Sequence, residues 1–197
     1  MIQYPLTYNP ILEYWEKIES GEIVVGDKVR RIYKHLVSLI HDDSKSEYEY
    51  SPERANHAIE FVENFCKHSK GKWGGKPIEL ELWQKAFFAS TFGFIHKIDG
   101  TRKHQEVMLV VARKNGKSTV GSGIALYGQL ADGEPGAEVY AVATKKDQAK
   151  LVWLESKKMV QKSPVLAKRL KPLVAEIRGD FNDSTFKPLG SDSETLD

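Results

Sequence analysis

Cysteine is almost absent from this chain. Cys66 is the only one, so no internal disulfide can form, and its position on the apolar side of a helical pattern reads as packing. No Cys/His cluster has the spacing of a zinc site, and His35, His41, His57 and His68 are scattered rather than set out as ligands. No stretch approaches the roughly 20 apolar residues that a membrane span needs. The first residues, MIQYPLTYNPILEYWEKIES, carry acids and no long apolar run, which argues against a secretory signal. A soluble cytoplasmic chain is therefore expected. Internal repeats and low-complexity tracts are also missing.

A large overall charge is lacking too, but the net +2 hides an asymmetry. From Lys145 to Lys171 there are nine Lys/Arg against two acids, and from Asp42 to Glu63 seven acids against two bases. The basic block suggests nucleic acid, with Lys145, Lys146 and Lys150 as contacts; the plainer reading is a solvated helix face. At 197 residues there is room for one good core, or a core with a helical appendage. Ile11, Leu12, Trp15 and Ile18 fall at helical spacing, and so do Val29, Ile32, Tyr33, Leu36, Val37 and Ile40. Ser51-Pro52-Glu53 opens a third helix that buries Ala55, Ala58, Ile59, Val62, Phe65 and Cys66. Residues 1–80 thus form a helical N-terminal region.

Residues 106–127, EVMLVVARKNGKSTVGSGIALY, organise the rest of the chain. Val107 to Ala112 is apolar at every position, the pattern of a strand buried on both faces. Arg113-Lys114-Asn115-Gly116-Lys117-Ser118-Thr119 comes next, and then a small-residue helix with Val120, Ile124 and Tyr127 on one face. Strand, polar turn with Gly-Lys-Ser, and helix make a phosphate-binding loop, in which backbone N–H groups and the helix N-terminus converge on an anion. Lys117 would reach the outer phosphates of ATP, and the Ser118 hydroxyl would ligate magnesium. Three cations in five residues repel one another unless an anion sits among them. The usual first glycine of the motif is replaced by Val111. The plainer alternative is a helix start at which Lys117 is merely solvated.

Upstream, a glycine-rich loop at 70–77 leads to Leu82-Trp83-Gln84. The Gln84 amide can donate and accept, and so could read an adenine edge with Trp83 beside the base. Otherwise Trp83 is core and Gln84 a surface helix residue. Downstream, Glu138 to Ala143, Val174 to Arg178 and Ser184 to Leu189 read as strands, with a helix after Thr144 that turns Ala149, Val152, Trp153, Ser156 and Val160 inward. The expected fold of residues 81–197 is α/β: a P-loop NTPase around a mostly parallel central sheet.

Leu82-Trp83-Gln84, followed by Val111 to Ser118, resembles the large terminase subunit of tailed phages, the ATP-driven motor and nuclease that packages double-stranded DNA. Residues 20–26 (SGEIVVG), 75–80 (GKPIEL) and 186–189 (FKPL) extend the resemblance over nearly the whole chain, and the family's loop also lacks the first glycine. The resemblance implies that Trp83 and Gln84 sit at the adenine, and that Arg113 acts in cis on the γ-phosphate. Lys114, Asn115, Gly116, Lys117, Ser118 and Thr119 would surround the phosphates and magnesium, and the implied catalytic pair is Arg113 and Lys117. It gives the basic block after Thr144 a better claim on DNA. It also implies as partners the small terminase subunit, the portal of the procapsid and other large subunits in a ring. The family places its magnesium and water-activating carboxylates on an apolar strand soon after Phe-Lys-Pro-Leu. Here only Asp192, Glu194 and Asp197 follow, in a polar tail, so the expectation is an ATP-binding fragment ending before that strand and the nuclease domain. A non-catalytic interaction module, a decayed prophage product and a helicase-like ATPase are the alternatives.

Overall fold

The computed structural model describes residues 1–190, which form two compact units. The first joins Met1–Glu60 to Leu80–Met108, and the second joins Phe61–Glu79 to the chain from Leu109 onward.

Helices α1 (Pro10–Glu19), α2 (Asp27–His41) and α4 (Leu82–Phe92) build the first unit with most of α3 (Pro52–Phe65). Asn9 starts α1: its side chain accepts hydrogen bonds from Ile11 N and Leu12 N, at 3.1 and 3.2 Å, with Pro10 at the first helical position. The helical spacing places Ile11 and Ile18 inside, and there they are; Tyr14 is buried beside them and packs edge-on against Tyr33 of α2 at 4.8 Å. On α2 the apolar stripe is only partly used, since Val29 and Ile32 remain exposed. A two-stranded antiparallel pair, β1 (Tyr48–Tyr50) and β2 (Phe94–His96), closes this unit. Gly93 links α4 to β2 where a Cβ would stand 2.6 Å from the Ala89 carbonyl and 2.7 Å from the Tyr50 ring, so only glycine fits.

The second unit is a four-stranded sheet of order β3-β6-β5-β4, from β3 (Glu138–Ala143), β4 (Lys171–Pro172), β5 (Ile177–Gly179) and β6 (Ser184–Gly190). β3 and β6 run parallel, with Val139 opposite Phe186, while β5 is antiparallel to both β6 and β4. The sheet is therefore mixed rather than mostly parallel, because β4, β5 and β6 succeed one another through short turns, which only antiparallel neighbours allow. Helices α5 (Lys117–Leu130) and α6 (Lys146–Lys162) pack on each other and on β3 and β6. Short α7 (Pro164–Ala167) comes directly after α6 and packs against it. Trp153 Nε1 donates to the Phe186 carbonyl at 3.2 Å, and Gln129 Nε2 to the Ile177 carbonyl at 2.8 Å, tying both helices to the sheet. Ala149, Trp153, Ser156 and Val160 face inward, as their spacing predicts.

The apolar run at 107–112 departs from expectation. It pairs with no strand among the described residues, and Met108 and Val110 are 87% and 84% exposed. A run apolar at every position is buried only if strands flank both its edges and helices cover both faces. The described sheet ends at β3, whose outward residue Val142 is 68% exposed, so that covering is not assembled around either segment. No described helix is long and apolar enough to cross a membrane.

Candidate nucleotide site

The turn between residue 112 and α5 is built from unusual backbone. Lys114 has φ +70° and Gly116 φ +71°, both left-handed. Glycine adopts this conformation freely; lysine does not, and such a residue costs on the order of 1–3 kcal/mol unless its surroundings hold it there. Left-handed residues alternating with ordinary ones turn successive N–H groups toward a common point, which makes an anion-binding hollow. Gly116 is also the N-cap of α5, and no side chain caps the helix in its place. The N–H groups of the first turn thus lack a side-chain acceptor, and the positive end of a 14-residue dipole stands there.

The side chains agree with this backbone. Arg113, Lys114, Asn115 and Lys117 are exposed, while Ser118 and Thr119 are half-buried in the first turn of α5. Among the described residues none of the three cations is paired with a carboxylate. The Ser118 hydroxyl makes no hydrogen bond to the described residues. A small, hard magnesium ion keeps most of its waters and takes one or two protein ligands beside phosphate oxygens. A single hydroxyl in the first turn of α5, unbonded among the described residues, is compatible with that habit. The described residues hold no cluster of three or more His, Cys, Asp or Glu that could bind a metal by themselves. Asp192, Glu194 and Asp197 lie outside the described residues.

Trp83 and Gln84 open α4 in the first unit. Gln84 is only 8% exposed, and its Oε1 accepts the Glu81 N–H at 2.9 Å. The Glu81 carboxylate in turn accepts from the Gln84 N–H, a reciprocal capping box. Gln84 is thus not the surface residue that the plainer reading of its sequence expects. The signal for its capping role is Glu81 three residues before it, a spacing easily passed over beside the amide's power to read a base. Trp83 is half-buried.

In the basic block, Lys145 is the N-cap of α6, and it is exposed together with Lys146. Lys150 is half-buried and pairs with Asp147 at 3.3 Å, which leaves it less available to an outside anion. Thr144 precedes the helix, and its hydroxyl meets Gln148 Oε1 at 3.5 Å.

Residues 82–197 match the family model described as the terminase large subunit, ATPase domain. The large terminase subunit of Enterobacteria phage HK97 is 27% identical over 145 residues, covering 72% of this chain and 28% of that protein. The crystal structure of the HK97 large terminase superposes with a TM-score of 0.61 at 26% identity, over 73% of this chain and 29% of that one. The chain thus spans less than a third of the length of the relatives it matches.

Proposed function

From the premise that this chain belongs to the terminase large subunit ATPase-domain family, we propose that its loop 113–119 binds ATP with magnesium. The observation that carries the reading is the turn itself: two left-handed residues, a helix N-terminus without a side-chain cap, and three exposed cations with no carboxylate partner among the described residues. Backbone N–H groups of the turn and of the first turn of α5 hold the phosphates, and Lys117 neutralises the outer ones. Arg113, free of any carboxylate among the described residues, stabilises charge that builds on the γ-phosphate oxygens as the bond to the β-phosphate loosens. Ser118 offers its hydroxyl to magnesium, which when bound neutralises charge on the β- and γ-oxygens. Trp83 and Gln84 serve the adenine, with Gln84 Nε2 as the donor, since its Oε1 is engaged by Glu81.

Within the whole protein, this ATP site drives translocation of double-stranded DNA, with α6 and its Lys145 and Lys146 facing the duplex. The small terminase subunit, the portal and other large subunits are the proposed partners in that assembly, in the host cytoplasm. The interaction-module and helicase-like alternatives are not favoured by the family match.

Calorimetric titration of the chain with ATP and magnesium, with turnover followed in the same sample, tests the reading. Saturable binding is expected, and Lys117→Ala is expected to abolish it while leaving the thermal melt near that of the parent. Equal ATP affinity in the variant would remove the site from this loop. Turnover in the parent would show that a carboxylate of this chain, or of a second copy, completes the catalytic set.

A further inference from the structure

Residues 67–77 carry a second cationic feature that the nucleotide loop does not use. The chain doubles back here as a stiff hairpin. His68 N–H donates to the Lys76 carbonyl, Gly75 N–H to the His68 carbonyl, and Lys76 N–H to the Trp73 carbonyl, at 3.0, 2.8 and 2.9 Å. Gly71 and Gly75, at φ +74° and +83°, supply the left-handed corners. This hairpin holds Trp73 out at 50% exposure, with the ammonium groups of Lys72 and Lys76 over its ring, 5.1 and 4.8 Å from the centroid, where a stacking base would exchange with one of them.

Lys70, Lys72 and Lys76 are all exposed, and none has a carboxylate partner among the described residues. Lys162, at the end of α6, joins them: its Nζ would lie 3.5 Å from a Cβ placed on Gly74, and among the described residues it too is unpaired. Like charges gathered on one short hairpin and on Lys162 beside it repel one another, and the exposed part of the Trp73 ring loses contact with water when covered. Ser69, at the base of the hairpin, buries its Oγ without a hydrogen-bond partner among the described residues.

We propose that this hairpin binds a nucleic-acid strand with unpaired bases, one base stacking on Trp73 and the flanking phosphates pairing with Lys70, Lys72, Lys76 and Lys162. A strand of this kind alternates π faces with phosphates, which is the alternation the hairpin displays. An acidic peptide would satisfy the lysines but offers no face to the indole. A closed duplex hides its bases from stacking. The site is separate from the ATP loop and does not rest on it.

The test is fluorescence anisotropy of a labelled oligothymidine of about ten nucleotides, titrated with the full chain at low salt and without ATP. Saturable binding is expected, weakened about tenfold by Trp73→Ala and largely kept by Trp73→Phe. Lys72→Ala with Lys76→Ala should flatten the dependence of affinity on salt. Thermal melts of the variants should match the parent, because these side chains lie on the surface. Undiminished binding by Trp73→Ala would overturn the proposal. So would equal competition by a duplex of the same length, or an absence of binding.

Discussion

Gln84 shows how one side chain can hold two claims at once. Its Oε1 closes the α4 capping box, so removing the amide destabilises the helix whether or not adenine is ever bound. Gln84→Ala is expected to cost about 0.5–2 kcal/mol in thermal or urea unfolding. If Nε2 reads adenine, Gln84→Ala should also bind ATP more weakly than the parent does, with no matching loss for bare triphosphate. Equal losses for ATP and triphosphate would assign Gln84 to helix capping alone. Lys114 is the other informative residue. Its left-handed backbone is an observed departure from what lysine prefers, and it lies in the same turn as the exposed cations.

At the scale of elements, the junction of α4 and β2 is the tightest passage in the first unit. Gly93 lets the helix end against the Tyr50 ring and the Ala89 carbonyl, and a methyl group there has nowhere to go. Gly93 is not left-handed, so the cost of Gly93→Ala is steric: about 1–3 kcal/mol, read as a lower midpoint in thermal unfolding. An unchanged midpoint would mean that Tyr50 moves aside freely. In the second unit, α5 and α6 are fixed by specific hydrogen bonds to the sheet as well as by burial. Gln129 to Ile177 and Trp153 to Phe186 reach carbonyls on two strands, which sets the orientation of α5 against the sheet.

For the molecule as a whole, the exposed apolar surface is the feature with consequences. Val110 stands almost fully in water, and Val142 lies on β3, an edge strand of the described sheet. Edge strands with exposed apolar side chains recruit further chains. The isolated chain is therefore expected to self-associate as concentration rises, and Val110→Lys with Val142→Lys to suppress this in sedimentation velocity. Identical sedimentation of parent and variant at every concentration would show that these positions are not the adhesive ones.

The local order of the chain was legible in its sequence wherever one element decides its own form. The start of α3 at Pro52, the span of β3 from Glu138 to Ala143, the inward face of α6 and the Arg-Lys-Asn-Gly-Lys-Ser turn before α5 all come from caps, periodicity and glycine placement. These are interactions between residues a few positions apart, so a single sequence carries them. The direction of β5, the exposure of residues 107–112 and the burial of Gln84 were not legible in the same way. The first two depend on which distant strands lie alongside, and the third on what covers the start of α4. The apolar run states what Val107 to Ala112 prefer as neighbours; whether those neighbours are present is decided by the tertiary structure alone.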